Sequence, residues 1–127
     1  MHVVTHKTIK EIQSIQENEL KQLLHYLQQH STFYQQHFAK HGIDITTITL
    51  ENLSDIPPTT KDDLQQHNID FLCVEKNRIA EYCATSGTSG KPVTIALTAN
   101  DLDRLAYNEL LSFQSANCTF NDVFQLM

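Results

Sequence analysis

The 127-residue chain is 40% apolar and 19% charged, the composition of one soluble domain or part of one. Fifteen acids against 9 bases give a formal net charge of −6, which argues against nucleic-acid and anionic-membrane surfaces, where a basic patch should dominate. Cys73, Cys83 and Cys118 are an odd set without C-x-x-C spacing, which argues against a disulfide framework or zinc site and fits a reducing cytoplasm. No apolar run reaches the length of a membrane span, and no signal-peptide pattern opens the chain.

The first third reads as helical. Thr8 with Glu11 forms a capping box, and Leu20, Leu23, Leu24 and Leu27 repeat on one helical face. Ser31 caps a second helix running to about Lys40. Gly42 follows where a left-handed residue is wanted, and Tyr34 and Phe38, one turn apart, should bury together. A connector over 42–49 leads to a short helix after Thr49 that must end before Pro57 and Pro58. Thr60 and Asp63 form a second capping pair, opening a helix to about Gln66 with Asp62 and Asp63 in its first turn. Arg78–Ala84 and Val93–Leu97 read as two strands flanking a Gly/Ser/Thr loop, hence a hairpin. Thr98 with Asp101 caps a long helix whose apolar stripe is Leu102, Leu105, Ala106, Leu110 and Phe113.

Asn121 and Asp122 signal a turn, and "VFQLM" opens a terminal strand. A strand there needs neighbours, so the chain is expected to be a fragment, a truncated product, or a protein that completes its sheet with a partner. There is no internal repeat. The fold class is α+β: 1–70 mainly helical, 71–127 hairpin, helix and strand.

"TSGTSGKP", residues 85–92, carries the chemistry. It fails the Walker A pattern twice, with Thr85 where the first glycine should stand and Pro92 where a magnesium-binding hydroxyl should follow the lysine. Pro92 suits the start of a strand and not the interior of a helix. The anion logic survives. Gly87 and Gly90 permit positive φ, successive N–H groups can converge on phosphate oxygens, and Thr85, Ser86, Thr88 and Ser89 supply hydroxyls. Lys91 adds a mobile positive charge. A plain polar hairpin turn is the competing reading, because such residues are common in loops.

The order of these residues resembles the Ser/Thr/Gly-rich phosphate loop of adenylate-forming enzymes, [ST]-[ST]-G-[ST]-[ST]-G-x-P, at eight consecutive positions. Within that superfamily "LLHYLQQHSTFYQQHFAKHGID", "LENLSDIPPTTKDDL" and "LTANDLDR" resemble the phenylacetate–coenzyme A ligase-like branch, so the likeness runs from about Leu20 to the end. The resemblance implies part of a larger adenylate-forming α/β domain. It also implies an acid–thiol ligation: a small carboxylic acid, an aryl acid such as phenylacetate, attacks the α-phosphate of ATP, and pyrophosphate leaves. The thiol of coenzyme A then displaces AMP. Thr85, Ser86, Gly87, Thr88, Ser89, Gly90 and Lys91 would hold the β- and γ-phosphates of the nucleotide, bound with magnesium. Family members are several times longer. The adenine and acyl contacts, the magnesium-binding acid and the C-terminal lysine lie downstream, so no catalytic residue is assigned and the chain alone is expected to lack ligase activity.

Other chemistry is weaker. His2/His6 and His37/His41 have i, i+4 spacing but lack H-E-x-x-H or a third ligand, so no metal site is assigned and surface histidines are expected. Cys83 reads as a buried packing residue, Glu81 and Asp101 belong to no acid pair, and the Leu and Phe stripes read as core. A second functional class is a non-catalytic truncated paralogue serving as an interaction module, with exposed strand edges allowing homo-oligomers.

Overall fold

The structure, a computed structural model, describes residues 7–87 and 92–125. Helix α1 (Ile9–His30) begins at the Thr8–Glu11 capping box, with both reciprocal bonds made. Helix α2 (Thr32–His41) begins at Ser31 and ends at Gly42, whose φ of 64° is the left-handed geometry a helix stop favours. The helix expected after Thr49 is a single 3-10 turn, Leu53–Asp55, cut short by the prolines that follow. Helix α3 (Lys61–Gln66) starts at the Thr60–Asp63 capping box, and 3-10 turns at Asn68–Phe71 and Lys76–Arg78 lead into the hairpin. Strands β1 (Ile79–Ala84) and β2 (Thr94–Thr98) pair antiparallel, Ala84 opposite Thr94 and Tyr82 opposite Ala96, with an irregularity between Ile79 and Glu81. Helix α4 (Ala99–Ser115) starts at a third capping box, Thr98–Asp101.

The core lies at the helical end. Leu24 of α1, Phe38 of α2 and Ile45 and Ile48 of the connector are buried, with Leu20, Leu27, Tyr34, Ile43 and Ile56 packed against them. The rings of Tyr34 and Phe38 meet at 5.6 Å. Leu23, expected on the same stripe, is exposed.

Three contacts tie the helices to the segment before the hairpin. Phe33 stacks on Phe71 at 3.9 Å. The fully buried Ser31 hydroxyl donates to the Asp70 carbonyl at 3.0 Å and accepts from the Tyr34 N–H at 3.3 Å. The Tyr26 hydroxyl donates to the Cys73 carbonyl at 3.2 Å.

Two expectations are corrected at the C-terminal end. The stripe of α4 is not core: Leu105, Leu110 and Phe113 are exposed, because α4 packs on β2 and nothing among the described residues covers its far side. Nor is a strand formed over residues 123–125, since among the described residues no neighbouring strand offers its backbone there; Leu126 and Met127 lie outside the described residues. Instead α4 stops at Asn117, whose φ is 59°, with the Cys118 N–H donating to the Phe113 carbonyl at 2.9 Å and the Asn117 N–H to the Gln114 carbonyl at 3.0 Å. This turn brings Phe124 against Phe113, ring centres 4.9 Å apart.

Candidate functional site

The loop leaves the sheet where β1 ends. The Thr85 N–H donates to the Val93 carbonyl at 3.0 Å, one step past the Ala84–Thr94 pair, and the Val93 N–H donates to the Thr85 side-chain Oγ1 at 3.0 Å. The chain then turns away through Ser86 into Gly87, whose φ of 69° requires a residue without a Cβ clash. Pro92 and Val93 return it to β2. Thr88, Ser89, Gly90 and Lys91, the rest of the candidate phosphate loop, lie outside the described residues.

Beside the loop is a cleft of about 330 Å³ lined by Lys61, Leu64, Thr85, Ser86, Gly87 and Val93. Its second wall is α3. The Thr60–Asp63 box sets where that helix begins: the Asp63 carboxylate accepts from the Thr60 hydroxyl at 2.7 Å and from the Thr60 N–H at 2.8 Å. These bonds, the side-chain one foremost, hold the Asp63 carboxyl below the usual carboxylate range. Beyond α3, the Asn68 amide donates to the Thr94 carbonyl at 2.6 Å, which ties that wall to β2 beside the loop.

Lys61 joins the cleft lining without having been singled out in the sequence. "TKDDL" reads as helix capping, and that reading holds for Thr60 and Asp63. Lys61 stands 24 positions before Thr85, and no local periodicity links the two. The available signal was its place in the "IPPTTKDDL" stretch, outside the loop motif itself.

Two further hollows, about 390 and 420 Å³, lie along the hairpin and contain none of the loop residues. The other candidates are engaged elsewhere. Cys83 is half-buried, not fully buried, and its thiol sits 3.3 Å from the Glu81 carboxylate. That hydrogen bond, with desolvation and the nearby negative charge, pushes the thiol up and disfavours a nucleophilic thiolate. Asp101 accepts from the Thr98 N–H and hydroxyl, which hold its carboxyl low. The expectation of plain surface histidines is corrected at His37, which is half-buried: its Nε2 lies 2.9 Å from the Pro57 carbonyl and its ring stacks on Phe33. His41 Nδ1 lies 2.8 Å from the His37 carbonyl. His2 and His6 are outside the described residues. Among the described residues no three His, Cys, Asp or Glu side chains gather to hold a metal ion, and the cleft lining contains no carboxylate to take magnesium.

No family model matches the chain. It is 35% identical over 95 residues to a phenylacetate–coenzyme A ligase of Thermus thermophilus, covering 73% of this chain and 21% of that protein. It is 31% identical over 101 residues to the phenylacetate–coenzyme A ligase of Escherichia coli, covering 78% of this chain and 23% of that protein. In fold it matches a 2-hydroxyisobutyryl-CoA ligase solved in complex with 2-HIB-AMP and CoA. The TM-score is 0.72 at 24% identity, over 80% of this chain and 23% of the ligase. The chain spans about a fifth of the length of the curated relatives it matches. By these likenesses the chain is phenylacetate–coenzyme A ligase-like in sequence and shares its fold with part of an acyl-CoA ligase.

Proposed function

We propose that loop 85–92 grips the β- and γ-phosphates of ATP in an AMP-forming acid–coenzyme A ligation. The observation that carries this reading is the cleft in which Lys61 from α3 faces Thr85, Ser86 and the positive-φ Gly87. Backbone N–H groups and hydroxyls supply short-range donors, and Lys61 on the α3 wall, with Lys91 of the loop sequence, supplies charge for a polyphosphate. In the reaction a carboxylate oxygen attacks the α-phosphorus, and the Pα–O–Pβ bond breaks. Pyrophosphate departs, and coenzyme A sulfur then replaces AMP at the acyl carbon as the thiol proton passes to a base. The loop's share is positioning and charge neutralisation, which is most of what phosphoryl chemistry asks of a protein. The acid is an aryl acid such as phenylacetate by likeness to the relatives, and a cytoplasmic setting fits the three free cysteines.

The 127-residue chain by itself carries the grip and not the turnover. Pyrophosphate exchange with a panel of aryl and alkyl acids tests this, and turnover by the chain alone would overturn it. Titration with magnesium ATP should shift the Ser86 and Gly87 amides, and Lys61→Ala and Lys91→Ala should each weaken the response several-fold. Variants that titrate like the parent would remove the lysines from the site.

A second reading, a non-catalytic module that associates with itself or a partner, is favoured by the exposed Leu105, Leu110, Phe113, Phe120 and Val123 and by the open hairpin edges. Light scattering across a concentration series distinguishes a monomer from such an assembly.

A further inference from the structure

We propose that Thr85 is a positioning residue of the loop and not one of its phosphate ligands: its hydroxyl oxygen closes the mouth of the hairpin. The proposal rests on reading the loop as a polyphosphate site and reassigns the first of its hydroxyls. In an antiparallel ladder a hydrogen-bonded pair exchanges two backbone bonds. At the last rung here only one is of that kind, from the Thr85 N–H to the Val93 carbonyl. The return bond, from the Val93 N–H, goes to Thr85 Oγ1 at 3.0 Å. A side chain has taken the place of the Thr85 carbonyl.

Two consequences follow for the loop. With Oγ1 in place of the carbonyl at this rung, the Thr85 peptide is not held to the strand direction by Val93, and the chain reaches positive φ two residues later at Gly87. On the returning side Pro92 has no N–H, so Val93 carries the first backbone donor of that limb. Val93 is only 4% exposed, and a buried N–H without a partner is costly. The Thr85 oxygen satisfies it, so that oxygen is committed to the scaffold. Ser86, by contrast, is exposed, and its side chain makes no hydrogen bond to another described residue.

The test is made on the whole chain, isotope-labelled, in three forms: parent, Thr85→Val and Thr85→Ser. Valine keeps the shape and strand preference of threonine and removes the acceptor. Thr85→Val should speed amide exchange at Val93 roughly three- to tenfold, the loss of one hydrogen bond, and move the Gly87 amide resonance. Thr85→Ser should restore both. Unchanged Leu24 and Phe38 resonances certify the fold. A Thr85→Val chain with parental Val93 exchange and Gly87 shift overturns the proposal, as does one that keeps Val93 protection yet loses its response to magnesium ATP. If the parent itself does not respond to ATP, the phosphate reading fails, while the exchange result still decides whether Thr85 closes the hairpin.

Discussion

Phe38 and Phe113 each lie in the C-terminal half of a helix, yet their truncation should differ sharply in cost. Phe38 is 2% exposed at the centre of the cluster with Leu24, Ile45 and Ile48, and removing a phenyl ring from such a site costs about 3–5 kcal/mol. Domains of this size are stable by only about 5–15 kcal/mol, and the few buried apolar side chains among the described residues put this chain at the lower end. Phe38→Ala should therefore leave it close to unfolding, and Phe38→Leu, which keeps most of the volume, should cost about 1–2 kcal/mol. Phe113 is 45% exposed and touches Phe124 alone among the described aromatic rings, so Phe113→Ala should cost under about 1 kcal/mol. Urea unfolding followed by far-UV circular dichroism reads all three. With a urea slope of about 1–2 kcal/mol/M, Phe38→Ala moves the midpoint by about 1.5 M or more and Phe113→Ala by under about 1 M. Equal losses from the two alanine variants would refute the placement of the core at the helical end.

Thr60→Ala removes the cap of a six-residue helix and should speed amide exchange at Leu64 about fivefold while weakening the ATP response as Lys61 loses its platform. The capping carboxylates of Glu11, Asp63 and Asp101 are all held low by their threonines, so their contribution is complete above the ordinary carboxylate range and lost as pH falls through the depressed values. Helical ellipticity should thus persist below that range before it drops, and the drop should be shallower in Asp101→Asn. Glu81→Gln should lower the Cys83 thiol and accelerate its alkylation near pH 8, read residue by residue by mass spectrometry. Gly87→Ala forces a side chain to φ 69° and should shift the Thr85–Val93 region while leaving the Leu24–Phe38 core unmoved.

Where a signal was local, the sequence carried it. All three threonine–acid boxes cap helices as read, Gly42 stops α2 as read, and the hairpin flanks the loop within one residue of the expected ends. Failure came where burial depends on a partner. The α4 stripe has the same spacing as the α1 stripe, yet periodicity says only that a face is apolar and not that anything lies against it. Lys61 was hidden for a related reason: only folding brings α3 beside residues two dozen positions away. At Thr85 composition gave the right residue type. The detail that its oxygen replaces a backbone acceptor is a matter of register, which a single sequence does not display.

The buried hydroxyl of Ser31 also bears on the order of assembly. Its bond to Asp70 spans 39 residues, and the Tyr26–Cys73 bond just outside it spans 47. Closing either from the open chain carries nearly the same entropic cost, because that cost grows only with the logarithm of loop length. The two are nested. Once Ser31 meets Asp70, only five residues on one side and three on the other separate Tyr26 from Cys73, so the second closure is nearly free. The Phe33–Phe71 stack sits between the same limbs. Ser31 accepts from the Tyr34 N–H in the first turn of α2, a local bond that needs no long-range contact, and the same hydroxyl donates its proton to Asp70. One side chain thus joins a local cap to a contact that sets the topology. Ser31→Ala should slow refolding more than it speeds unfolding.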